Sequence, residues 1–166
     1  MEIKVEKYIY KKMSDIFIKR INFTQENIFK ILEIFSLKNV VVEIGDVQKS
    51  DVLFEKIKRF NLKYKTSNEN ATPYFDIVLM ASIEQIKELI DCILDTESEA
   101  FAITNVSDEN QWEQYLYNKI PIRKLIKQGK VDINISVAIH ESSIGISFSN
   151  EAYDAKQIAS KIKKSF

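Results

Sequence analysis

Two stretches of strict alternation, one near each end of the chain, constrain the fold more than anything between them. Ile3, Val5, Lys7 and Ile9 alternate with Glu2, Lys4, Glu6 and Tyr8, and a second run, Ile16–Ile21, follows the polar segment Lys11–Asp15. Near the other end Ile133, Ile135, Val137 and Ile139 alternate with Asn134, Ser136 and Ala138. After His140–Ser143 the pattern returns as Ile144, Ile146 and Phe148. A period of two sends successive side chains to opposite faces of a strand, so each pair of runs predicts a hairpin with one face on the core.

Between the hairpins the period changes. Thr24 offers an N-cap oxygen to a helix from Gln25 to about Leu37, and Ser50 to a shorter one from Asp51 to Phe60. Val40–Gly45 and Tyr74–Met80 are short, nearly continuous apolar runs of the kind found in strands covered on both faces. Leu62–Thr66 reads as a more exposed strand, and Ser67–Pro73 as a loop. Ser82 and Gln85 form a capping box at the start of a helix from Ile83 to Asp95, and Ala100–Thr104 is a further strand. Tyr74–Thr104 therefore predicts a β-α-β unit. Ser107–Asn110 opens another helix with Trp112, Tyr115, Leu116 and Ile120 inward; Pro121 kinks or restarts it, and Gly129 suits a left-handed stop. Ser149 or Asn150 can cap a final helix with Ala155, Ile158, Ala159, Ile162 and Phe166 inward. The expected architecture is α/β or α+β: a mixed sheet flanked by helices, hairpins near both termini, and a central β-α-β unit. No internal repeat stands out.

One domain spanning residues 1–166 accommodates these elements, since 166 residues bury enough surface to fold without disulfide support. No apolar run approaches the roughly 20 residues needed to cross a bilayer, and the charged amino-terminal segment lacks the apolar stretch of a signal peptide. The expectation is a cytoplasmic protein with no membrane association, in which the lone Cys92 stays reduced.

Scarcity narrows the chemistry. The chain has one histidine, one cysteine and three glycines, which excludes a zinc site built from several Cys and His ligands and a glycine-rich phosphate cradle. His140 precedes Glu141 at a turn, but adjacent strand residues point to opposite faces, so Glu141 is badly placed to orient the ring. Cys92 falls inside a helix, away from the amino-terminal dipole that activates thiols. The reading leans away from an enzyme and assigns no catalytic residue, resident metal or cofactor. A carboxylate-based, metal-dependent enzyme is the alternative, with Glu43 and Asp46 flanking Gly45, Asp76 in an apolar strand, and Lys49 or Lys56 as cationic help.

Charge is segregated although 24 basic and 24 acidic residues cancel. From Glu84 to Glu113 the acids are Glu84, Glu88, Asp91, Asp95, Glu97, Glu99, Asp108, Glu109 and Glu113, against Lys87 alone. Helical spacing puts Glu84, Glu88, Asp91 and Asp95 on one face, opposite Ile86, Leu89, Ile90 and Ile93. The leading expectation is a protein–protein interaction module, an inhibitor or immunity-type protein, that masks a basic partner. Its site comprises Glu84, Glu88, Asp91, Asp95, Asp108, Glu109 and Glu113. A third expectation is a nucleic-acid accessory protein using Lys119, Arg123, Lys124, Lys127 and Lys130, with Tyr115 and Tyr117 for stacking. Zero net charge and the lack of a recognisable binding module weigh against it.

Overall fold

The computed structural model describes residues 2–48, 51–67, 73–96, 98, 100–106 and 121–166. Both alternating regions are hairpins: β1 (Lys4–Ile9) with β2 (Met13–Lys19), and β7 (Val131–Ala138) with β8 (Ser143–Ser149). β2 pairs with β8, setting Ile16 opposite Ile146, so the first and last hairpins are neighbours.

Each of these hairpins leads into a helix, α1 (Gln25–Ile34) after β2 and, at the far end of the chain, α5 (Ala155–Ser165) after β8. The units correspond closely. β2 and β8 each have 7 residues; Thr24 Oγ1 accepts from the backbone N–H of Asn27 at 3.2 Å, and Asp154 Oδ1 from that of Gln157 at 2.9 Å. Ile28 and Leu32 bury on α1 as Ile158 and Ile162 do on α5. This is an internal ββα repeat in space. It escapes a sequence reading because the halves share apolar spacing and capping chemistry rather than residue identity. The cap falls at Asp154 rather than Ser149 or Asn150 because Ser149 is still paired with Met13 in the sheet.

The middle of the chain supplies β3 (Asn39–Gln48), α2 (Val52–Arg59), β4 (Lys63–Ser67), β5 (Tyr74–Ser82), α3 (Ile83–Leu94), β6 (Ala100–Val106) and α4 (Ile122–Lys127). One eight-stranded sheet runs β1-β2-β8-β7-β6-β3-β5-β4. Every pairing is antiparallel, which gives an α+β fold. The β-α-β unit is present in split form: β5 and β6 both run antiparallel to β3 and hence parallel to each other, with α3 crossing above and β3 lying between them. Segments β3 to β6 thus follow the ferredoxin-like order. The sheet is antiparallel throughout rather than mixed, since parallel strands are nowhere direct neighbours.

Helices α1, α2, α3 and α5 share one core with the same face of the sheet. Ile16, Ile18, Val42, Ile44, Ile77, Ile103, Ile135 and Ile146 meet Ile31, Leu32, Ile57, Leu89, Ile93 and Ile162 there. On α3, Ile86, Leu89, Ile90 and Ile93 are each 0% exposed. The capping box is formed, Ser82 accepting from the Gln85 backbone at 3.2 Å and Gln85 accepting from that of Ser82 at 2.9 Å. Full burial of each such aliphatic side chain contributes about 1.5–3 kcal/mol. β3 and β5 also bury Val41 and Val78 on the opposite face, against Met80. α4 packs on that opposite face as well, seating Leu125 and Ile126 on Met13 and Val131.

Candidate functional site

The acidic stripe lies where helical spacing puts it. Glu84, Glu88, Asp91 and Asp95 are all exposed on the solvent side of α3 and just past its end. Among the described residues one ion pair relieves the row, Lys87 Nζ to Glu84 at 3.6 Å. Lys56 Nζ approaches the row as well, but donates to the backbone oxygen of Glu88 at 3.3 Å rather than to a carboxylate. Asp108, Glu109 and Glu113 lie outside the described residues, as do Glu97, Glu99, Lys49, Ser50, Tyr115, Tyr117, Lys119 and the helix expected from Ser107.

The carboxylates of the enzyme alternative are only partly brought together. A β-bulge at Gly45–Asp46 interrupts the pairing of β3 with β5, and Asp46, at φ 55°, donates its backbone N–H to Asp76 Oδ1 at 3.3 Å. Ser67 Oγ reaches the other oxygen of Asp76 at 3.5 Å. Glu43 keeps an exposed surface. Neighbouring sheet atoms nevertheless withdraw its carboxyl from water and, with the Asp76 charge as a lesser cause, lift its pKa above the ordinary value. Lys56 belongs to the helix layer, across the sheet from Glu43. Among the described residues no three His, Cys, Asp or Glu side chains converge as metal ligands. His140 and Glu141 are exposed in the β7–β8 turn with no hydrogen bond between them, and Cys92 is a half-buried packing residue at the edge of the main core.

A second site joins residues distant in sequence. Successive strands align Glu6, Phe17, Gly145, Ser136 and Ala102 in one row on the sheet face away from α1, α2, α3 and α5, with Tyr8, Asp15, Ser147 and Asn134 in the next. Small side chains at Ser136, Ala138, Ser143 and Gly145 leave a cleft of about 690 Å³, walled by Tyr8, Tyr10 and Phe17 and by Arg123 from α4. Arg123 Nη1 donates to both oxygens of Asp15, at 2.9 and 2.8 Å, and Ser147 Oγ donates to Oδ1 at 2.7 Å. The guanidinium lies 5.8 Å from the Tyr10 ring centre. Glu6 is held by Lys4 at 2.6 Å and Lys19 at 3.1 Å, hydrogen bonds that depress its pKa.

Sequence reasoning missed this cleft. Its one local signal was the pair of polar, small faces on β7 and β8; assembling it needs the β2–β8 pairing.

No known protein family matches the chain, and no curated protein does. A solved structure, the regulatory subunit of aspartate kinase from Thermus thermophilus in its ligand-free form, aligns over 79% of this chain and 94% of its own, with 9% identity and a TM-score of 0.28. A likeness that slight carries no argument about fold or function.

Proposed function

We propose that the protein is an interaction module, of the inhibitor or immunity type, that masks a basic protein partner through the acidic face of α3. The observation supporting this reading is the exposed row Glu84, Glu88, Asp91 and Asp95, with one cation among the described residues paired to it, on a helix whose opposite side is fully buried. A helix held by four fully buried aliphatic side chains presents its charges without further ordering cost. Aligned charge of one sign steers an oppositely charged partner and speeds association.

The test is affinity capture from native extract at low salt, with wild type and E88K/D91K side by side. Both positions are exposed, so the variant should keep its melting temperature. A stoichiometric basic partner should be lost or weakened, and the association rates of the two proteins should converge as salt rises. Equal association of both with the captured partner at low salt would sink the reading.

A further inference from the structure

The cleft on the other side of the sheet has properties that masking through α3 does not use. Tyr8, Tyr10 and Phe17 are 47%, 51% and 38% exposed. Single exposed rings are ordinary, but three around one cleft form a contiguous aromatic patch of the kind that marks interaction sites. Tyr8 and Phe17 fix each other edge to face, with centroids 5.9 Å apart and planes at 70°. Tyr10 is steadied by Arg123, itself anchored on Asp15. Ser136 and Gly145 keep the floor low, so the rings can be approached from the cleft.

The border at the β1–β2 turn is basic. Lys11 and Lys12 directly follow Tyr10, and the six residues of α4 include Arg123, Lys124 and Lys127 but no acid. Packing of Leu125 and Ile126 on Met13 holds α4 beside that turn. Lys11, Lys12, Lys124 and Lys127 are exposed and have no acidic partner among the described residues. Of the acids lining the cleft, Glu6 and Asp15 are already engaged by Lys4, Lys19 and Arg123, while Glu141 sits at the β7–β8 turn, at the other end of the strands from the basic β1–β2 turn.

We propose that this face of the sheet is a platform for single-stranded nucleic acid, on which bases stack against Tyr8, Tyr10 and Phe17 while phosphates follow Lys11, Lys12, Arg123, Lys124 and Lys127. Single strands expose the ring faces that a duplex hides, and an aromatic sheet surface with a cationic edge binds them largely irrespective of sequence. An acidic peptide would answer the lysines but leave the three rings unexplained. Zero net charge argues only against a global field; Lys11, Lys12, Lys124 and Lys127 are local cations with no acidic partner among the described residues, and Arg123 shares its charge with Asp15. The stacking partners come from β1, β2 and the turn between them, more than a hundred positions from the basic segment of α4, so adjacency in sequence could not join those two.

Fluorescence anisotropy of the full chain tests this with labelled strands of about twelve nucleotides: an RNA, the DNA of the same sequence, its duplex, and a polyglutamate peptide. Tighter binding of either strand than of the duplex is expected, and a preference between RNA and DNA would identify the sugar. Y8A/Y10A should weaken binding about ten-fold or more, while Y8F/Y10F keeps it. K124E/K127E should weaken binding and flatten the dependence of log affinity on log salt by roughly 1 or more between about 50 and 200 mM. No strand binding at the lowest salt, equal binding of the duplex, an unchanged Y8A/Y10A, or polyglutamate bound in place of the strands would each overturn the proposal. Because this face lies across the sheet from α3, E88K/D91K should bind the strands as wild type does.

Discussion

Removing Arg123 should cost far more than removing its partner Asp15, although the two share the same hydrogen bonds. The side chain of Asp15 is 5% exposed and that of Arg123 46%. In R123A the carboxylate stays in place with only the Ser147 hydroxyl. A buried charge stripped of its partner costs about 3–5 kcal/mol, and entry of water into the vacated space lowers this to about 2–3. In D15A the guanidinium turns toward solvent, and the loss is near that of a net hydrogen bond or two, about 1 kcal/mol. D15A/R123A should resemble D15A alone, because its arginine half removes a group already returned to water. The measurement is a double-mutant cycle from urea unfolding at neutral pH followed by circular dichroism. In thermal melts R123A should fall by about 4–10 °C. If R123A costs no more than D15A, or the two losses simply add, the assignment of Asp15 as the dependent, desolvated partner is wrong.

The raised pKa of Glu43 makes E43Q a stabilising change at neutral pH. The folded state holds the proton more tightly than the unfolded chain, whose value is near 4.5, so the wild type loses stability relative to E43Q as pH climbs from there through the raised value and recovers parity below it. Paired melts across acidic to neutral pH check the sign, and a gap that opened on acidification would contradict it. Gly129 sits at φ 72° in a Schellman stop, where Lys130 N–H bonds to Leu125 and Gly129 N–H to Ile126, and an added Cβ would meet nothing within 4 Å. G129A should therefore cost only the left-handed strain, about 1 kcal/mol in urea unfolding.

Local chemistry was legible, while pairing between distant segments was not. Thr24, the Ser82–Gln85 box and Gly129 could be read because each acts within a few residues of itself, on donors or carbonyls that any helix end leaves unmatched. The α3 carboxylates followed from helical spacing alone. The Asp51–Phe60 helix was legible as a span, though its N-cap is Asp51 rather than Ser50, and Leu53 and Ile57 are buried on it while Phe60 at its end is exposed. Periodicity could say that β5 and β6 were strands and that a helix joined them. It could not say that β3 would slip between, because β3, β5 and β6 all read as apolar runs equally suited to the centre. The cleft was hidden for the same reason: Phe17, Gly145 and Ser136 are neighbours only through the β2–β8 and β7–β8 registers.

The β2–β8 seam also has a kinetic consequence. Ser14 Oγ donates to Asn150 Oδ1 at 2.6 Å across 136 positions of chain, and Ser147 reaches Asp15 across 132. β3 to β6 can close among themselves as soon as they leave the ribosome, since each pairs within that stretch. β2 cannot. Its core-facing side, with Ile16 and Ile18 at 0% exposure in the finished protein, must wait through the synthesis of nearly everything else for β8. Until then it is an apolar strand edge in search of any partner, the kind of surface that holds a nascent chain on chaperones and recruits other chains when they are scarce.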